Sequence, residues 1–435
     1  MKKKISLIII MMLILSMLSG CGGSSQASSV NQSENTEKAK ENVKLTLMTT
    51  EASGEEALAY YEELIDKYET DHPGVEIELI QGGNWQDVEA KLSAASLSNT
   101  YPDILLVPLS ALGSRAALGE YADLTDYIAN WEDADDIMPA AIDIGKYKGT
   151  SVAIGAYPVP EIIMYRKDFF IEAGLDPDKP PTTWDELYEY ATKLAQVDKN
   201  GEVIRGGFDV PLSENNMTLA EAFLRQNGNY VVDPETEELF LTDQSSIETF
   251  EYLKQFIDMK LTVPYQRSGN DDPVLTGKSA MGIVYPSAVA ELLADDPDLR
   301  ENLGFIPFVE NEQKGSFCGY RLMMISEESQ YKDEAWDFIT SYYDTDEMWK
   351  RYELFNHTPI RLSMSEEFIE LDPELNQALI DCVEYGAGRP VVSWLPILTK
   401  YQIQAYEEIM NDVKSAPQAL SDAEAAIKEE LSQMK

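Results

Sequence analysis

The sequence predicts an α/β fold arranged in two lobes. Two observations carry that expectation. Between residues 44 and 107, short apolar runs and longer amphipathic ones follow a β-α-β-α-β order, the pattern of helices covering a largely parallel sheet. The chain beyond its leader and tether is about 390 residues, too long for one typical hydrophobic core.

The elements follow in order. Lys44 to Thr49 reads as a short buried strand. Residues 55–68 read as a helix, with Leu58, Tyr61, Leu64, Ile65 and Tyr68 on one face. His72-Pro73-Gly74 stops it. Val75, Ile77 and Leu79 alternate with Glu76, Glu78 and Ile80, a half-buried strand. A second helix is predicted over 86–98 and a buried strand over 103–107. Thr183 can cap the amide of Glu186 while Glu186 reaches back, a capping box that opens another helix. Trp184, in its first turn, reads as core packing. Further helices are predicted over 245–260, 332–343, 396–413 and 421–432. Asp198, Asn200 and Gly201 start like a calcium loop, but the later ligand positions are missing, so a hairpin turn is expected.

The N-terminus reads separately. Lys2, Lys3 and Lys4 precede an apolar stretch over 5–18, shorter than a membrane span and flanked like an export signal. Leu18-Ser19-Gly20-Cys21 resembles the bacterial lipobox. That resemblance implies a signal peptide over 1–20 and a mature chain whose first residue, Cys21, carries a lipid. Residues 21–42 are Ser, Asn, Gln, Glu and Lys with few large apolar residues. Such a tract cannot bury enough surface to offset the entropy of ordering it, so it reads as a flexible tether.

Composition narrows the function. Hydrophobic residues make up 44% and aromatic residues 10%, as in a globular body. The formal net charge of −43 argues against nucleic acid as a partner. Beyond Cys21, Cys318 and Cys382 admit either one disulfide or two buried thiols. The two histidines, His72 and His357, lie far apart and match no zinc motif. No Walker A, GxGxxG or GxSxG motif is present, so no cofactor is expected. Carboxylates are so numerous that no pair of them identifies a catalytic centre.

Four blocks carry a family resemblance. The run Ala156-Tyr157-Pro158-Val159-Pro160-Glu161-Ile162-Ile163-Met164-Tyr165-Arg166-Lys167-Asp168-Phe169-Phe170 continues through Ala173-Gly174-Leu175 to Pro180-Pro181-Thr182-Thr183-Trp184-Asp185-Glu186-Leu187. Gly277-Lys278-Ser279-Ala280-Met281-Gly282-Ile283 is a second block. Gly304-Phe305-Ile306-Pro307-Phe308 with Gly319-Tyr320 is a third, and Tyr101-Pro102-Asp103 a fourth. In order and spacing they resemble the extracellular solute-binding proteins of the maltodextrin-binding family, the ligand-capturing components of ABC importers. The resemblance spans the body from about Val43 to the C-terminus. It implies a two-lobed, type II periplasmic-binding-protein-like fold with a hinge between the lobes. Lobe 1 would take 43–156 and 303–343, and lobe 2 would take 157–302 and 344–435. Ala156-Tyr157-Pro158 would be one crossing. A small-molecule solute would bind between the lobes and pass to permease subunits. The protein would be a monomer and not an enzyme. It would be held to the extracellular face of the cell membrane by its N-terminal lipid. One departure stands out. Where the family often has Gly-x-Trp after the second block, this chain has Val284-Tyr285-Pro286-Ser287.

The resemblance also points to candidate ligand-binding residues. A sugar needs aromatic platforms for its C–H faces and fixed polar groups for its hydroxyls. Glu51 follows the first strand, at the strand ends where a crevice forms. Trp85 lies in a polar loop before a helix, and can equally cap that helix. Tyr157 sits at the crossing, where a structural role is the alternative. Glu161 matches a family position that contacts sugar hydroxyls, against a hinge ion pair. Tyr285 lies on the second crossing, and Tyr320 on the return strand. Arg389 and Trp394 flank a loop where the family supplies a late aromatic platform, and Trp394 is the leading stacking candidate. Asp103 reads as structural. The expected solute is a carbohydrate, an oligosaccharide. Alternatives are a polyol, glycerophosphodiester or peptide, and, from another class, a secreted glycan hydrolase. A phosphate ligand would want clustered arginines, and Arg115, Arg321, Arg361 and Arg389 are scattered along the chain.

Overall fold

Strand β1 (Val43–Thr49), helix α1 (Glu55–Asp71), strand β2 (Val75–Gln81), helix α2 (Trp85–Ser98) and strand β3 (Ile104–Pro108) open the body in the predicted order. The computed structural model describes residues 42–98, 100–215, 217–267 and 272–434, and the backbone alone of Trp85 and Gln86. The expected signal peptide, the lipidation at Cys21 and the tether up to residue 41 lie outside the described residues. β1 pairs in parallel with both β2 and β3. α1 turns Tyr60, Tyr61, Leu64, Ile65 and Tyr68 inward, close to the stripe its periodicity predicts.

The chain then lays down β4 (Ile154–Pro160), β5 (Ile162–Arg166), α3 (Trp184–Leu194), α4 (Thr218–Gln226) and α5 (Gln244–Asp258). It continues with β6 (Met281–Val284), α6 (Pro286–Asp295), β7 (Leu303–Ile306) and β8 (Ser316–Ile325). β8 joins the first sheet. It runs antiparallel to β3 over Arg321–Ile325 and antiparallel to β4 over 318–323. The longer helices that follow are α7 (Lys332–Tyr342), α8 (Thr345–Phe355), α9 (Pro373–Tyr385), α10 (Leu395–Met410) and α11 (Ala416–Gln433), with a short helical segment, Ser365–Leu371, before α9.

Two hydrophobic clusters result. The first gathers β1, β3, β4, most of β8 and helices α1, α7 and α9. The second gathers α3, α4, α5, α10 and α11. β5 belongs to both. It is the middle strand of a three-stranded antiparallel sheet with β6 and β7. Its side chains alternate, as strand geometry requires: Ile162 and Met164 enter the first cluster, Ile163 and Tyr165 the second.

The chain does not pass to the second cluster at residue 344. Met348, Ile360, Met364, Phe368 and Leu379 all lie in the first, and membership changes by Val392. The reason is the buried Arg351 of α8. Its guanidinium lies 3.6 Å from the Tyr342 ring centroid, and Nη1 donates to Tyr60 Oη at 2.8 Å. That pins α8 to α1 and α7. α11 also starts earlier than predicted, because Ser415 sits at the N-cap and Pro417 fits the first turn with its φ already set.

Other expectations hold. Thr183 caps the Glu186 amide at 3.2 Å, while the Glu186 carboxylate reaches one residue further back, to Thr182 N and Oγ1, at 2.7 Å each. Trp184 is buried, stacks on Tyr252 at 4.2 Å and donates its indole N–H to Gln226 Oε1 at 2.7 Å. Asp198 Oδ1 accepts from the amides of Asn200 and Glu202 at 2.8 and 2.9 Å, closing the hairpin turn. Cys318 and Cys382 are buried free thiols. Among the described residues, no helix is long and apolar enough to cross a membrane.

Two tests follow from the second cluster. Trp184→Ala removes a stacked, hydrogen-bonded indole and should cost about 3–5 kcal/mol in chemical denaturation. A loss under about 1 kcal/mol would mean the cluster tolerates the cavity. Asp209 is 3% exposed, with Oδ2 accepting from Val274 N at 2.9 Å and Oδ1 unpartnered. Burial pushes its carboxyl up to about 8 from 3.8. The folded state therefore holds this proton more tightly than the unfolded chain. The resulting stability is fully present below pH 3.8 and is lost as pH rises toward 8. Asp209→Asn should gain on the wild type across that window when melting temperatures are compared. Parallel curves would rule the effect out.

Candidate functional site

β4 and β8 pair side by side at the junction of the two clusters, and the cleft is built on that pairing. Where β4 gives way to β5, Glu161 N donates to Phe317 O at 3.0 Å. The pairing register of β8 against β4 shifts between Arg321 and Leu322. Above it lies a cavity of about 200 Å³. The first cluster's side contributes Pro108 at the end of β3, Leu109 and Ser110 just after it, with Val159, Tyr320 and Arg321. The second cluster's side contributes Phe317, Thr218 at the start of α4, and Arg389, which reaches Thr399 of α10; Tyr285 precedes α6, whose Val289 packs with the first cluster. A larger cavity of about 570 Å³ shares Arg389 and extends along Lys146, Lys148, Arg225, Tyr230 and Phe240.

Three of the predicted residues line the smaller cavity directly: Tyr285, Tyr320 and Arg389. Tyr320 is 3% exposed, and its hydroxyl is buried with no hydrogen-bond partner. Arg389 Nη1 donates to Thr399 Oγ1 at 3.1 Å.

Glu51 and Tyr157 form a second group one layer back. The Tyr157 hydroxyl donates to Glu51 Oε2, and Arg321 Nε donates to Glu51 Oε1 at 2.7 Å. Thr50 Oγ1 donates to the same Oε1 at 2.5 Å. Burial pushes the Glu51 carboxyl up, but Arg321, Thr50 and Tyr157 outweigh it and hold it below the usual carboxylate range. Tyr157 also stacks on His357 with centroids 3.6 Å apart. Burial, with Arg351 and Arg321 nearby, pushes His357 down to about 3, so the imidazole is neutral at pH 7. These residues aim Arg321 at the cavity.

Glu161 lies beneath the cavity, 2% exposed. Its Oε2 accepts from Thr218 Oγ1 at 3.0 Å and from Arg267 Nη2 at 3.3 Å. Arg267 also meets Glu214 at 3.2 Å and Asp272 at 3.4 Å. Burial pushes the Glu161 carboxyl up against the pull of Arg267. A buried acid in this setting fixes the orientation of Thr218 and Tyr285 above it.

Two predicted residues stand apart. Trp394 is 4% exposed, sits in the second cluster and gives its indole N–H to Glu237 Oε2 at 3.1 Å. It offers no open ring face. Trp85 begins α2 directly after the Gly82–Asn84 loop, and its side chain is outside the described residues. Asp103 is structural, as expected: Oδ2 accepts from Thr46 N and Oγ1 at 2.9 Å each, and Oδ1 from Ser329 at 2.7 Å.

Sequence reasoning did not single out Phe317, Thr218, Arg225, Tyr230 and Phe240. Phe317 and Arg321 had a usable signal, because they flank Gly319 at strand spacing on the strand that carries Tyr320. The others lie on α4 and its following loop, where nothing in the pattern marks a cleft. As chemistry, the smaller cavity offers guanidinium and hydroxyl donors beside three aromatic rings, a surface suited to a polyhydroxylated solute.

Comparison with known proteins agrees with this architecture. The sugar-binding protein MalE of Xanthomonas citri is similar in structure, with a TM-score of 0.79 at 18% identity over 90% of this chain and 98% of that one. The cyclic alpha-maltosyl-1,6-maltose binding protein of Arthrobacter globiformis gives 0.76 at 23% identity, over 88% and 98%. At such identities these likenesses establish the two-lobed fold. A binding protein of Brucella abortus (strain 2308) is 23% identical over 369 residues, 83% of this chain and 84% of that protein. The family model for bacterial extracellular solute-binding proteins matches residues 51–349, well over half the chain, and the chain belongs to that family.

Proposed function

We propose that this protein is the lipid-anchored receptor of an ABC importer and captures an oligosaccharide between its lobes. The observation that carries the reading is the cavity itself, which takes its walls from both hydrophobic clusters. A solute lying there touches both lobes at once, so its binding favours the closed arrangement over the open one. The closed form would be the one a permease reads. Cys21 would hold the chain at the extracellular face of the membrane, and the chain would act as a monomer. Of the two similar structures, one is named for the cyclic maltosyl-maltose it binds and the other is named as a sugar-binding protein. Of the three rings lining the cavity, Tyr285 is the half-exposed one and the proposed platform for a sugar face, with Phe317 and Tyr320 buried beside it.

Core membership puts 43–157 and about 318–383 in the first cluster and 184–261 with about 392–427 in the second, while the segments 162–165, 274–289 and 303–317 contribute to both. Of the residues named from sequence, Tyr285, Tyr320 and Arg389 are proposed to meet the solute. Glu51, Tyr157 and Glu161 are proposed to position the groups that do. The family whose model matches is one of solute-binding proteins, so the reading is binding without catalysis.

A thermal-shift screen of the purified chain against mono- and oligosaccharides, polyols, glycerophosphodiesters and peptides tests the class of solute. An oligosaccharide should raise the melting temperature and emerge uncleaved. A rise seen only with a non-sugar, or release of a shorter glycan, would refute the reading. Trp394→Ala should lower stability by about 3–5 kcal/mol, the cost of emptying a buried aromatic site. Because its ring is enclosed, the dissociation constant of the identified solute should change less than threefold in calorimetry below the melting point. A larger loss would put Trp394 back in the site.

A further inference from the structure

The smaller cavity, at about 200 Å³, falls short of the size usual for a small-molecule site, about 300–1,000 Å³. The larger one, at about 570 Å³, lies inside that range. The two adjoin at Arg389, which lines both. Arg225 links their walls: Nη2 donates to the Gly388 carbonyl in the larger cavity, and the guanidinium carbon stands 5.7 Å from the centroid of Phe317 in the smaller. The larger cavity also draws on both clusters, since Ile144 packs with the first and Val232 with the second. Its lining carries charges of both signs. Lys146 and Lys148 stand beside Asp143, Asp233 and Glu235. Such a lining offers donors and acceptors together, which is what hydroxyl groups need.

The aromatic ring that stands open there is Tyr230, 52% exposed. The backbone beside it is strained. Val231 is β-branched and holds φ at +55°, a left-handed conformation that is a genuine outlier for such a residue. Three hydrogen bonds fix the turn. Asn229 Oδ1 accepts from Val231 N at 2.6 Å, Phe240 N donates to Val231 O at 2.7 Å, and Val232 N donates to Tyr230 O at 2.5 Å. The turn buries Val231 in the second cluster and leaves Tyr230 exposed. The phenol is tethered as well: Gln313 Nε2 donates to its hydroxyl at 3.2 Å and to Arg225 O at 2.8 Å. Backbone held in a sparsely populated conformation by its surroundings is concentrated at ligand-contacting sites. A ring fixed at its hydroxyl and more than half exposed can stack on the C–H face of a sugar.

We propose that the solute runs through both cavities as a chain of three or more sugar units, with Tyr285 as the inner platform and Tyr230 as the outer one. The larger cavity has more than twice the volume of the smaller, so for one unit in the smaller there is room for two in the larger. The proposal rests on the carbohydrate reading above and sets the length of the solute.

Calorimetry on the mature chain tests it. The probes are malto-, manno-, xylo- and arabino-oligosaccharides of one to five units. In at least one series the trimer should bind about ten-fold or more tighter than the monomer, the scale of one added aromatic contact. Tyr230→Ala, with folding checked by circular dichroism, should weaken the trimer about ten-fold and leave the monomer within about two-fold. Tyr230→Phe, which keeps the ring and loses the tether to Gln313, should keep most of the gain with length. A gain with length that is unchanged in Tyr230→Ala would overturn the proposal and leave the oligosaccharide reading intact. Should that variant not fold, the wild-type series still decides on length. Equal binding from one to five units would overturn the proposal and leave a carbohydrate receptor. Silence from every series would overturn both.

Discussion

The antiparallel pairing of Ile154–Pro160 with Ser316–Ile325 is the constraint on which the rest of the molecule depends. Both segments belong to the first sheet, and the second reaches the other cluster through Phe317 near its start. Without hydrogen bonds between them, each would cross as an isolated extended chain with its backbone groups unmatched. Paired, they form a stiff floor. The same pairing sets Tyr157, Tyr320 and Arg321 at fixed places along it. Phe317, one residue before Cys318, packs with the second cluster, while Cys318 and Tyr320 pack with the first. The strand therefore builds a wall of the cavity and ties both cores together.

Charge is handled in two layers. The chain carries a formal −43, a surface that repels other anions at long range. Inside, its cations are placed where they satisfy buried acids. Arg267 meets Glu161, Glu214 and Asp272, all at most 4% exposed. Arg351 is held between Tyr342 and Tyr60. Buried ion pairs of this kind add little net stability, because desolvation offsets most of the attraction. Their effect is on geometry: a buried charge can sit only where its partner waits. That is how α8 is committed to the first cluster and how the groups around Glu161 keep their register under the cleft.

Local structure was legible in the sequence because its causes are local. The order from β1 to β3, the inward stripe of α1, the Thr183 cap and the Asp198 turn all depend on neighbours within a few residues. The cleft depends on residues brought together over long separations. Arg321 and Arg389 looked scattered because nothing local marks two side chains that converge from a strand and a loop. Trp394 looked like a platform because an aromatic in a late loop is ambiguous until the helix after it packs. Once α10 docks, the indole is enclosed and its N–H has Glu237 as partner. The packing of the segment after residue 344 with the first cluster is likewise not marked locally. A buried arginine on α8 outweighed the order of the chain.

The contacts across the larger cavity differ in kind from those within each core. Lys148, on the hairpin turn beside Tyr147, reaches Glu237 at 3.4 Å from the other side. Their side chains are 53% and 34% exposed. An exposed pair of long side chains is screened by salt and gives little net stabilisation. Arg351, Arg267 and the stacked Trp184, by contrast, lie inside their cores and cannot be separated without leaving buried groups unmatched. The energetic contrast sets where the molecule can yield. Each core resists deformation, the paired strands hold the floor, and the rim across the cavity is held by a weak, solvated contact. A binding protein needs that distribution. Its solute must enter and leave, so the tie across the opening has to be weaker than the attachments that keep Arg321 and Tyr285 in place.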